Sequence, residues 1–255
     1  MVYSKIDYCF KLRDVDSTAC QVGLIYKDLS CKGFDKTKLL TTFGLSEKDF
    51  KDISYLRNIK SKIQHLNTNN IMNMQGKCDY LQGKWDSVKE EFFCIISKIF
   101  GVTFSNKVKH NTFCYLQLLP LDEIVCESNT IYLNYNYSNE QMFSKFIVML
   151  VKNLIVKFWR QNENLAFQTN YEANNRLWLF AEIAVDAMFY NSELKKFCVE
   201  PTYKYFYSIR INNIKFMEDF RSLFNKVGVE DFLNEVYYFV YENFDYLIKF
   251  KHYLY

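Results

Sequence analysis

Ser138-Asn139-Glu140-Gln141-Met142-Phe143-Ser144-Lys145-Phe146-Ile147-Val148-Met149-Leu150-Val151-Lys152-Asn153-Leu154-Ile155-Val156-Lys157-Phe158-Trp159 is the stretch on which the reading of this 255-residue chain turns. It opens on a capping box. Ser138 stands at the N-cap and Gln141 three residues on, so hydroxyl and side-chain amide can each satisfy a backbone N–H of the first turn. Met142, Phe143, Phe146, Ile147, Met149, Leu150, Leu154, Ile155, Phe158 and Trp159 then cover most of a helix circumference. A helix that is apolar nearly all round belongs at the buried centre of its fold. The run from Phe146 to Trp159 is broken by Lys152, Asn153 and Lys157, which leaves it too short and too charged for a bilayer span.

On the N-terminal side, Thr130 to Tyr137 alternates, with Ile131, Leu133, Tyr135 and Tyr137 on one face of a strand. Thr112 to Leu119 reads as a second strand, closed by Pro120. Before it, Trp85, Val88, Phe92, Ile95, Ile96 and Ile99 follow helical spacing, and Gly101 sits where a helix C-cap belongs. On the C-terminal side a helix is expected from Glu172 to Tyr190, with Leu177, Trp178, Ala181, Ala184, Val185 and Met188 inward. Further helices are expected near Asn213–Val227 and Glu230–Lys249.

Toward the N-terminus, Ile6–Leu12 and Cys20–Tyr26 read as strands around a turn at Asp14-Val15-Asp16-Ser17. Ser46, with Asp49 three residues on, predicts a helix running to about His65. Residues 66–76, which hold Asn67, Asn69, Asn70 and Asn73, read as a linker, because asparagine favours turns over helix interiors. The expected organisation is a small mixed region over 1–75 and a main helical body with a small sheet over 76–255. The fold class is α+β and helix-dominated.

Composition removes several function classes. Lys+Arg number 32 against 29 Asp+Glu, a formal net charge of +3, which argues against a protein that coats a phosphate backbone. The 24 Phe and 20 Tyr exclude general disorder. Heavy use of Phe, Tyr, Ile, Asn and Lys is also the imprint of an AT-rich genome, so the aromatic surplus is no stacking signal by itself. The eight cysteines form no CxxC pair, and the N-terminus has no apolar signal-peptide core, so free buried thiols in the cytoplasm are expected. There is no GxGxxG, Walker A or GxSxG motif. His65, His110 and His252 lie far apart, and no metal or other cofactor is implied.

The order helix, strand, strand, long core helix, further helix resembles the entry to a zincin metallopeptidase domain of the gluzincin type. In that fold an edge strand precedes a long helix that carries His-Glu-x-x-His, and a glutamate of a following helix is the third zinc ligand. The resemblance places Lys152, Asn153, Leu154, Ile155 and Val156 on the five motif positions. Lysine offers an ammonium where a neutral imidazole must donate a lone pair, asparagine is no base for water, and valine has no donor atom. Glu182, 29 residues after Asn153, falls at the spacing of the third ligand, with Asp186 one turn further on the same face. An acid inside an apolar stripe must be paired, so a Lys152–Glu182 salt bridge is expected in place of a metal. The implication is a catalytically inactive scaffold that binds a protein or peptide partner.

Two alternatives stand beside it. An enzyme could assemble its site from dispersed residues, with Glu163, Glu172, Glu182 and Asp186 as carboxylates to pair. A nucleic-acid accessory protein would need Lys145, Lys152, Lys157 and Arg160 to form a basic stripe with Lys107 and Lys109. The bland reading of that run is the solvated edge of one helix.

Overall fold

The computed structural model describes residues 2–27, 36–51, 54–105, 111–118, 123–125, 129–162, 171–198, 204–211 and 215–249. The fold is α+β and helix-dominated. Its elements are β1 (Val2–Ser4), β2 (Asp7–Leu12), α1 (Val15–Lys27), α2 (Lys36–Phe43), α3 (Tyr55–Phe100), β3 (Thr103–Ser105), β4 (Asn111–Gln117), β5 (Glu123–Val125), β6 (Thr130–Asn134), α4 (Asn139–Asn162), α5 (Tyr171–Asn191), α6 (Phe216–Phe224) and α7 (Val229–Leu247). Short 3-10 turns cover Glu47–Phe50, Glu193–Phe197 and Lys204–Ser208. Among the described residues no helix is long and apolar enough to cross a membrane.

The chain divides into two compact units that interleave along the sequence. One gathers Met1–Asp7, Ser87–Asn111 and Phe143–Leu254; the other gathers Tyr8–Asp86 and Thr112–Met142.

In the second unit a four-stranded sheet has the order β2-β4-β6-β5, with β4 parallel to β6 and β5 antiparallel on the edge. Alternation along the strands puts Tyr8, Phe10, Cys114, Leu116, Ile131 and Leu133 on a buried face. Tyr8 meets Trp85 of α3 edge-on at 6.2 Å. The outer margin of β2 is closed by a side chain. Gln82 Nε2 donates to the Tyr8 carbonyl and Gln82 Oε1 accepts from the Phe10 N–H, both at 3.2 Å, as a neighbouring strand would. A second cluster packs Ala19 and Val22 of α1 and Leu39 and Phe43 of α2 with Ile59, Ile63 and Met74 of α3. The Lys77 ammonium donates to the Tyr135 and Tyr137 carbonyls at 2.7 Å each, and burial lowers its pKa.

In the first unit β1 and β3 form a two-stranded parallel sheet. The helical core is built from α4, α5, α6 and α7. Phe146 to Val156 of α4 and Leu179 to Phe189 of α5 are buried without interruption, the all-round burial expected of apolar helices. Trp159 of α4 donates from Nε1 to Asn234 Oδ1 of α7 at 2.9 Å, and its ring lies 5.2 Å from Phe180 and 4.1 Å from Tyr237.

Three sequence expectations need correction. The segment 20–26 is helix, not strand, because Asp14 accepts the Ser17 N–H at 2.7 Å and starts α1. The Ser46/Asp49 capping box is present but closes only a 3-10 turn; α3 begins at Tyr55. Residues 66–76 are no linker but the interior of α3. There Asn70 donates to the Leu66 carbonyl at 2.8 Å and Thr68 to the Gln64 carbonyl at 2.9 Å, so the polar side chains bond back along the helix while Met74 is buried beneath. Helix cooperativity on either side outweighs the few tenths of a kcal/mol, about 0.7 at most, that each asparagine costs.

The helix ends were better marked. Gly101 takes a φ of 62° after α3, and the Val102 N–H bonds the Ser97 carbonyl at 3.1 Å, a Schellman closure. The Ser138/Gln141 box opens α4 through reciprocal bonds of 3.1 and 3.3 Å. Among the thiols, Cys78, Cys114 and Cys198 are buried, but Cys20 and Cys94 are exposed, which corrects the expectation that all are buried; Cys31 and Cys126 lie outside the described residues.

Candidate functional site

Apart from Ser144 near the start of α4, the polar residues buried in the first unit come from the middle of α4 and the middle of α5. Lys152, Asn153, Glu182 and Asp186 are all buried, Asn153 and Asp186 completely. They sit there because each helix is apolar on every side at that level, so the backbone carries them inward whatever their charge. Moving an unpaired charge from water to such a place costs several kcal/mol or more. The structure shows how the three charged members, Lys152, Glu182 and Asp186, are paired.

Lys152 and Glu182 are brought together: Lys152 Nζ donates to Glu182 Oε1 in a short ion pair. Their side chains are 10% and 1% exposed, so water screens the pair little. The second carboxylate oxygen, Oε2, is buried with no hydrogen-bond partner among the described residues.

Asp186, one turn along α5, does not share that lysine. Its Oδ2 accepts from Arg221 Nε of α6 at 2.8 Å, and its Oδ1 accepts from Arg221 Nη2 at 3.1 Å and from the Tyr207 hydroxyl. The Tyr207 oxygen in turn accepts from Arg221 Nη2. The guanidinium also lies over two rings, 4.0 Å from the Tyr190 centroid and 4.5 Å from that of Tyr207. This is a two-pronged carboxylate clamp that only arginine can make.

Arg221, Tyr207 and Tyr190 were missed in the sequence. They lie 35, 21 and 4 residues from Asp186 and belong to no motif. The one usable signal was rarity: the chain has 26 lysines and 6 arginines, so an arginine stands where its planar fork is needed.

Of the cations along α4, only Lys152 is buried. Lys152 faces Glu182, and Lys145, Lys157 and Arg160 are half-buried. Lys107, Lys109, His110, Glu163 and His252 lie outside the described residues, as does the side chain of Glu172. His65 is exposed on α3, 3.3 Å from Asn69.

The cluster does not fit zinc. Lys152 is charged and hydrogen-bonded to the very carboxylate that a metal would need, and Val156 offers no donor atom. Among the described residues no group of three or more His, Cys, Asp or Glu converges. In this arrangement two buried carboxylates are neutralised by two cations.

No similarity to this chain is found among protein-family models, curated proteins or solved structures.

Proposed function

We propose that the chain is a non-catalytic binding or accessory protein on a zincin-like scaffold, with the Lys152–Glu182 ion pair standing in place of a metal. The observation that carries this reading is the pair itself. A lysine on the first histidine position and a glutamate on the third-ligand position hold each other across two successive helices, which is the substitution that removes the metal and keeps the charge balanced. Element order supports it. The antiparallel edge strand β5 and then β6 precede the long buried α4, and α5 follows with Glu182 at its middle. Asn153 stands where the general base would be, and a carboxamide cannot take a proton from water at neutral pH.

A scaffold of this kind acts through contact with a protein or peptide partner. The test is elemental analysis of the full chain purified without added metal, together with a peptidase assay on an unstructured protein substrate. Substoichiometric zinc and no cleavage are expected, both before and after incubation with zinc. One tightly held zinc per chain, or a cleavage activity abolished by Glu182→Gln, would overturn the reading.

A further inference from the structure

We draw no further inference here: the strongest candidate, the half-buried aromatic face of the four-stranded sheet where Phe113 and Tyr115 of β4 lie beside Tyr132 of β6, carries nothing, because the chain's own Lys11 and Arg13 already lie over the Phe113 and Tyr132 rings, 4.1 and 4.3 Å from their centroids, and nothing in the structure shows what covers the rest.

Discussion

Removing one member of the Lys152–Glu182 pair should damage the protein far more than removing both. The Glu182 side chain is 1% exposed and that of Lys152 10%, so either charge left alone has almost no water to turn to. Breaking a buried pair from one side costs about 3–5 kcal/mol, whereas replacing both partners by apolar residues of similar volume is about neutral or stabilising. Lys152→Met and Glu182→Leu are therefore each expected to lose about 3–5 kcal/mol. The double variant should return to within about 1 kcal/mol of the parent. Their coupling then exceeds about 3 kcal/mol, well beyond the roughly 0.5 kcal/mol scatter of independent sites. Urea unfolding followed by tryptophan fluorescence measures it. With a slope of about 1–3 kcal/mol/M, each single variant shifts the midpoint by about 1 M or more. Repeating the cycle in about 1 M salt should leave the coupling nearly unchanged, because the pair is out of reach of counterions. Additive single effects, or a coupling that disappears in salt, would show that the two side chains do not rely on each other, and the reasoning about a substituted metal site would fall.

Three further outcomes are expected. If Glu182 occupies a third-ligand position, Lys152→His, Asn153→Glu and Val156→His together should give a chain that retains stoichiometric zinc through gel filtration; a triple variant that folds but binds none would refute the assignment of those positions. Lys62 and the Ser46 N–H hold the Asp49 carboxyl below its ordinary value of 3.8. A lowered folded-state pKa contributes stability above the unfolded value and loses it as pH falls through the folded one. The stability advantage over Asp49→Asn should thus be full near neutrality and shrink below pH 3.8, and an advantage that grows with acid would contradict the sign. Finally, burial pushes the Cys78 thiol up to about 12. At about pH 8 iodoacetamide should therefore label Cys20 and Cys94 and spare Cys78, Cys114 and Cys198 until denaturant is added, which peptide mapping reads directly.

The parts of the fold that the sequence announced are those where one local rule acts alone. The capping box at Ser138 and the glycine at 101 involve neighbours within a few residues and are where the spacing put them; the alternating strand is present too, but it ends at Asn134 rather than Tyr137. The parts it concealed are those decided by competition. Asn67 to Asn73 have turn-forming chemistry, yet a helix of 46 residues, about 69 Å long, absorbs them because propagation costs little once both flanks are helical. Cys20–Tyr26 is as compatible with a strand as with a helix, and only the Asp14 cap decides it. In the buried cluster the Lys152–Glu182 contact was inferable because charge inside an apolar helix demands a partner. The Arg221–Tyr207 clamp on Asp186 was not, because its members come from separate segments whose approach depends on tertiary packing.

The Gln82 amide on the margin of β2 has a consequence for how this protein behaves in a crowd. A bare row of N–H and C=O groups would recruit another chain and grow a ribbon of identical molecules. One carboxamide, projecting from a helix, occupies the Tyr8 and Phe10 groups and leaves an incoming chain nothing to bond at those two rungs. Replacing Gln82 by a residue without that amide would take these two bonds away from the Tyr8 carbonyl and the Phe10 N–H, and with them the cover they give that margin.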